Sequence, residues 1–226
     1  MKVVFLNTLN AQVYEPLRAF LLTHLDSTDV FCFEECYGNM QKLATELLTD
    51  FEPFFVSKTL SNDEDFTNAT YVRKTHKVIS TNSTADTLGT GLCTLTSLNV
   101  AGTDVHIANL HGLPKPGKLD TALRIRQSEE AIQLLAPLSG IKIIGGDLNV
   151  LPETKSAQMF SEAGYENLIT IFGIKTTRNK IAWDKHPGNE LYFSDYVFIK
   201  GAKVTSFEVP AEIVSDHQPM ILTIGQ

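Results

Sequence analysis

The polar side chains that could do chemistry in this sequence sit where buried strands should end. Asn7 closes the apolar run Val3–Leu6, and Glu34 and Glu35 close the run that starts at Asp29. His111 follows a run ending at Leu110, while Asp147 and Asn149 follow Ile141–Ile144 after a glycine pair. Asp195 directly precedes Tyr196–Ile199, and Asp216-His217 precedes a last apolar run, Met220–Ile224. A buried carboxylate without a partner is costly, so each of these needs a hydrogen bond or a cation. Gathered in one place, carboxylates, carboxamides and imidazoles suit a hard divalent cation. Magnesium, with manganese as the alternative, takes oxygen ligands and keeps several waters. It would polarise a phosphoryl oxygen and stabilise a leaving oxygen. A carboxylate or imidazole beside it would position and deprotonate the attacking water.

Taken singly, each residue has a plainer reading. Asn7 can simply terminate a strand. Glu35 can be a surface carboxylate, although Phe31, Cys32 and Phe33 beside it argue for burial. Gly145-Gly146-Asp147-Leu148-Asn149 can be an ordinary turn, because Gly, Asp and Asn favour turns for local reasons. Asp216 can cap a turn, and a lone His217 is more often structural. Their joint occurrence in this order carries the argument.

Elements must exist to position them. The spacing predicts strands at 2–6 and 29–34 and helices near 14–25 and 38–49, with Leu17, Phe20, Leu21 and Leu25 at helical intervals. Further strands are expected at 53–57, 68–73, 76–82, 89–97, 103–109 and 141–144, then at Tyr196–Ile199, Lys203–Val209 and Met220–Ile224. A helix near 118–136 would bury Leu119, Leu123, Ile132 and Leu135, and another helix spans 154–163. The acidic stretch Ser61-Asn62-Asp63-Glu64-Asp65 reads as a solvated loop. The pattern implies an α/β chain with two sheets between helices, organised as a single domain over 1–226.

With 226 residues, 43% hydrophobic and 20% charged, the composition is that of an ordinary globular protein. No apolar stretch is long enough for a transmembrane segment, and the N-terminus lacks a secretory signal pattern, so a cytoplasmic location is expected. Three cysteines, Cys32, Cys36 and Cys93, cannot form a fully paired disulfide framework and read as small buried hydrophobes. A net charge of −7 argues against a dedicated duplex-DNA binder, since non-specific affinity comes from Lys and Arg.

The ordered segments Phe5-Leu6-Asn7, Asp29 to Glu35, Asn109-Leu110-His111, Arg126-Gln127, Gly146-Asp147-Leu148-Asn149, Ser194-Asp195-Tyr196-Val197 and Ser215-Asp216-His217 resemble the endonuclease/exonuclease/phosphatase superfamily across almost the whole chain. The resemblance implies a four-layered α/β sandwich, two mainly antiparallel sheets packed face to face with helices outside. It implies Glu35 as the principal magnesium ligand, with Asn7 and Asp216 beside the metal. Asp147 would position or deprotonate the water, and Asn149 would contact the phosphoryl group. His217, held by Asp195, is the alternative base or a phosphate contact, and His111 would contact phosphate or assist the leaving group.

There are departures. The family's usual Gln-Glu pair is Glu34-Glu35 here, and strand alternation would turn Glu34 to the opposite sheet face. His111 stands where the apurinic branch commonly carries tyrosine. Around the site, Arg178 is the candidate substrate-binding residue, against the plainer reading of an uninvolved surface guanidinium. Trp183 reads as core, and Lys115 and Lys118 as a solvated loop able to approach an anion. Arg126 and Gln127 would brace the cleft. The expected activity is magnesium-dependent hydrolysis of a phosphate ester, as a nuclease or phosphodiesterase, with nucleic acid as a candidate substrate. The alternatives are a phosphatase or phospholipase acting on small metabolites or lipid head groups, and a non-catalytic binding module. Nothing in the sequence specifies an oligomeric state.

Overall fold

In the computed structural model, residues 1–59, 65–84, 91–114, 116–185 and 192–225 are described. Ser61 to Glu64 and Lys115 lie outside that set, as do the first two residues of the strand expected at 89–97; Asp65 opens a strand.

The first sheet contains β1 (Lys2–Asn7), β2 (Val30–Glu34), β3 (Phe51–Thr59), β4 (Asp65–Arg73), β11 (Val204–Glu208) and β12 (Met220–Ile224), in the order β11-β12-β1-β2-β4-β3. The second contains β5 (Lys77–Ser83), β6 (Leu92–Val100), β7 (Thr103–His111), β8 (Ile141–Asp147), β9 (Glu166–Asn167) and β10 (Asp195–Lys200), in the order β5-β6-β7-β8-β10-β9. Each sheet has one parallel pair, β1–β2 and β7–β8, and its other pairs are antiparallel. A parallel pair needs a crossover. The helix α1 (Tyr14–His24) lies in the β1–β2 crossover and α3 (Ala122–Leu135) in the β7–β8 crossover.

Leu17, Phe20 and Leu21 of α1 and Met40 and Leu43 of α2 (Gly38–Leu47) cover the outer face of the first sheet, packing on Val4, Leu6, Phe31 and Phe33. The other strand face, with Val3, Phe5, Val30 and Cys32, joins Ile107, Ile143 and Val197 in the core between the sheets. On the far side of the second sheet lie α3 and α4 (Lys155–Glu162), with Ala131, Leu135 and Phe160 in the same core cluster. The two-sheet α/β sandwich is therefore as expected. All three cysteines are free and buried.

The sheets approach closely under one end. A Cβ on Gly145 would lie 2.6–2.8 Å from ring carbons of Phe5, so the ring rests directly on the glycine backbone.

Several expectations need correction. The glycine pair is not a turn: β8 continues through Gly145, Gly146 and Asp147, with Gly146 at φ +124°. Pairing with β10 through Asp195↔Asp147 holds it extended. Likewise β7 runs on to include His111. The face of α3 that is buried carries Arg124, Gln127, Ser128, Ala131 and Leu135, whereas Leu119 and Leu123 are exposed. Two short helices, α5 (Leu168–Ile171) and α6 (Lys180–Lys185), and the two-residue β9 had no clear sequence signal.

Candidate active site

The ends of β8 and β10 bring Asp147 and Asp195 directly opposite one another, both buried. Two adjacent carboxylates need donors. For Asp147, Oδ1 accepts from the Asn149 N–H at 2.9 Å and from the Ser194 hydroxyl, and Oδ2 accepts from Asn7 Nδ2 at 3.2 Å. Burial pushes its carboxyl upward, but His217, Lys118, His111 and Arg178 outweigh that and hold it well below the usual carboxylate range. In Asp195, Oδ1 lies 2.7 Å from His217 Nδ1. Burial first, and then the neighbouring Asp147 charge, raise its carboxyl above the ordinary value. The Ser194 and Asp195 N–H groups both donate to Thr177 Oγ1, which fixes the entry into β10.

His217 completes a chain of contacts. Its Nε2 is 2.6 Å from Arg178 Nη1 and 3.5 Å from Asp147 Oδ2. Because guanidinium only donates, this geometry assigns the proton to Nδ1, donated to Asp195, and leaves Nε2 as an acceptor. Burial and Arg178 lower the basicity of the ring, but Asp195, Asp147 and Asp216 overcome them and raise it. Arg178 Nη2 also donates to Asp216 at 3.1 Å, and Lys185 lies 3.6 Å from the same carboxylate. The guanidinium is thus a half-buried member of the cluster, not an uninvolved surface group.

Glu35 stands across from Asp147. It follows the last residue of β2 and adopts φ +53°, so alternation fails there. Asn7 Nδ2 donates to Glu35 Oε1 at 3.1 Å as well as to Asp147, and Asn7 Oδ1 accepts from the Leu9 N–H. One amide therefore spans carboxylates from both sheets, presenting its nitrogen to them. Burial is the main reason that the Glu35 carboxyl sits above its ordinary value.

Glu34 departs from expectation in its surroundings. It does point away from the helices that cover Phe33, but that direction leads between the sheets and under the site. It is fully buried there, with Gly146 and Asn109 against it. Neither carboxylate oxygen makes a hydrogen bond of ordinary geometry, and the Oδ1 atoms of Asn68 and Asn109 are also unpaired. Burial first, and then Asp147, Asp195 and Glu35, push its carboxyl well upward.

His111 and Asn149 line the same cell. The His111 ring is buried and pulled down to about 4, chiefly by desolvation, so it is neutral at pH 7. Asn149, at φ +57°, donates through Nδ2 to the Gly112 carbonyl at 3.1 Å. Lys118 is not on a solvated loop: it is buried, and its Nζ donates to the Phe193 carbonyl at 3.3 Å. Trp183 is half-buried on α6 and packs edge-on against Tyr192, outside the main core clusters.

Of the two residues expected to brace the cleft, Gln127 does so and Arg126 does not. Arg126 is exposed and paired with Glu130. Buried Arg124 instead donates to the carbonyls of Leu113 and Leu119, and Gln127 Oε1 accepts from the Gly91 and Leu113 N–H groups. The positions 124, 127, 128, 131 and 135 recur at helical spacing, a signal that was present but masked by their polarity. Thr177 and Lys118 had no such periodic signal.

Among the described residues, ligand-capable atoms of Asp147, Asp195 and His217 lie within 4.8 Å of one another. The donor chemistry of the site fits a hard cation. Glu35, Asp147 and Asp216 supply oxygens in one cell, and Glu35 is only partly buried with an Asn7 hydrogen bond as its support. The Asp195–His217 contact is already a hydrogen bond, so those two suit proton handling better than ligation.

No family profile and no curated protein matches the sequence. Solved structures do match the fold. An endonuclease/exonuclease/phosphatase from Bacteroides vulgatus superposes with a TM-score of 0.81 at 16% identity, covering 99% of this chain and 98% of its own. A mannosyl-6-phosphatase from Bacteroides thetaiotaomicron gives 0.74 at 15% identity, covering 100% of both chains. D. rerio TDP2, complexed with a single-strand DNA product, gives 0.73 at 13% identity, covering 100% of this chain and 99% of its own. At these identities the likeness is one of fold.

Proposed function

From a fold shared with endonuclease/exonuclease/phosphatase proteins, we propose that this chain, acting as a single domain, hydrolyses phosphate esters by in-line attack of water with magnesium bound near Glu35. The observation that carries this reading is the Asn7 amide joining Glu35 and Asp147 at 3.1 and 3.2 Å, with His217 Nε2 3.5 Å from Asp147. Glu35 would hold the metal, with Asp216 nearby and Asn7 fixing the two carboxylates. When bound, the ion supplies Lewis acidity toward a phosphoryl oxygen.

The chain's own groups would do the rest. Asp147 is held ionised by its neighbours, so it can orient a water through its carboxylate. His217 Nε2 is an acceptor beside it, and Asp195 fixes the tautomer, the arrangement a general base requires. Neutral His111 can donate to an ester oxygen, and Asn149 can hold a non-bridging oxygen. Arg178 adds positive charge at the same wall.

A nuclease or phosphodiesterase is the first reading, and the DNA product bound to D. rerio TDP2 favours it. A phosphatase of small metabolites is the second, favoured by the −7 net charge and the mannosyl-6-phosphatase likeness. The test is a screen of purified protein with magnesium or manganese against nicked and abasic DNA, RNA, dinucleotides, sugar phosphates and bis-p-nitrophenyl phosphate. Hydrolysis of at least one ester that is lost in Asp147→Ala supports the reading. Inactivity of the wild type on all of them, or full turnover by Asp147→Ala, would sink it. Steep salt dependence of binding separates a nucleic-acid substrate from a small one.

A further inference from the structure

Lys118 has an environment that a loop lysine does not need. It lies at φ +50°, directly after Gly117 at φ +74°, and it is only 9% exposed. A left-handed backbone at a non-glycine residue persists only when its surroundings enforce it. Here they do. Arg124 ties down the carbonyls of Leu113 and Leu119 on either side of the loop, and the Leu151 N–H holds the Lys118 carbonyl at 3.0 Å.

The held ammonium is underused. Of its three donors, one reaches the Phe193 carbonyl, and among the described residues no carboxylate forms an ion pair with it. Phe193 adjoins Ser194, whose hydroxyl bonds Asp147, so the ammonium sits at the wall of the catalytic cell. The charges of Asp147 and Asp195 act on it there, as does that of Arg178. The other cations of the cell are committed: Arg178 to Asp216 and His217, Lys185 to Asp216. A buried ammonium with spare donors calls for an anionic oxygen.

We propose that Lys118, rather than Arg178, is the principal cationic contact for the non-bridging oxygens of the phosphoryl group. Its strained loop is the device that holds it there. This rests on the phosphate-ester reading above and assigns the residue that reads the phosphate charge within it.

The test uses the full chain and two variants, Lys118→Met and Lys118→Arg, with inorganic phosphate as probe. Phosphate binding is followed by 31P line broadening and calorimetry, with and without magnesium, and turnover with bis-p-nitrophenyl phosphate. Wild type should bind phosphate, Lys118→Met should bind it at least about tenfold more weakly, and Lys118→Arg should recover most of the loss, as expected for a charged hydrogen bond. Phosphate binding that is unchanged in Lys118→Met overturns the proposal, and so does an absence of phosphate binding by the wild type. An equal loss in both variants, accompanied by a fall in Tm, overturns it in favour of a purely structural lysine. Lys118-dependent phosphate binding without any ester hydrolysis leaves this assignment standing and removes the hydrolase reading instead.

Discussion

The His217 Nδ1 atom lies 2.7 Å from Asp195 Oδ1, which leaves the opposite ring nitrogen facing Asp147 and Arg178. The carboxylate therefore sets which nitrogen is free to accept a proton. Asp195→Asn keeps the shape but can offer its amide nitrogen, which favours the other tautomer. Turnover should fall about 10²–10⁴-fold, the usual worth of a general base, with little change in KM. Steady-state kinetics beside a circular dichroism spectrum would check this, and an unchanged kcat would remove His217 from the proposed chemistry.

Glu35 combines a positive φ with a partly buried carboxylate, and both features oppose stability. Glu35→Gly relieves them together, because glycine adopts this backbone freely. The variant should be inactive yet more thermostable by about 1 kcal/mol, or about 2–4 °C in Tm. Manganese binding followed by electron paramagnetic resonance should weaken in parallel. A variant less stable than wild type would show that the position carries no strain.

Arg124 and Arg126 stand two residues apart and should behave oppositely. Arg124→Met leaves the Leu113 and Leu119 carbonyls without their donor inside the structure, and should cost about 2 kcal/mol or more. Arg126→Met removes only an exposed pair with Glu130 and should change stability by less than about 0.5 kcal/mol. Urea denaturation of both variants gives the comparison directly.

Asp120 accepts from the Lys155 and Ser156 N–H groups and from the Ser156 hydroxyl at the start of α4. Burial opposes ionisation, but these donors and Arg124 together prevail and lower its pKa. A depressed folded value means the contribution is complete above the unfolded pKa, ~3.9, and is lost as pH falls through the folded one. Asp120→Asn should therefore be less stable than wild type at pH 7, with the gap closing as pH falls below the unfolded value and through the folded one. Melting curves across that range test it; a gap independent of pH would contradict the assignment.

Much of this arrangement could be read before any coordinates, because apolar runs marked the strands and the polar residues closing them marked one end of the sheets. Asn7, Glu35, His111, Asp147, Asn149, Asp195, Asp216, His217 and Arg178 do come together. What escaped was set by tertiary packing. Gly145 and Gly146 read locally as a turn, and only the pairing with β10 and the Phe5 ring make them strand. Arg124 is fully buried, which is rare for an arginine, and nothing in its residue type signals that its helical position faces the core. Lys118 sat among Gly and Pro, and its burial depends on partners far away in the chain. Glu34 also escaped: alternation was expected to set it apart from Glu35, but the positive φ at Glu35 breaks that alternation and Glu34 lies between the sheets near Asp147, which comes from the second sheet.

The Phe5 ring seated on Gly145 acts as a spacer directly below the Asn7 bridge. Glu35 and Asp147 belong to different halves of the sandwich, so the thickness of that spacer sets the gap across which they face each other. Trimming it, as in Phe5→Leu, would detune turnover out of proportion to the stability lost, and a bulkier residue at 145 would prise the same gap open. A change buried wholly in hydrocarbon would then be felt first by the chemistry.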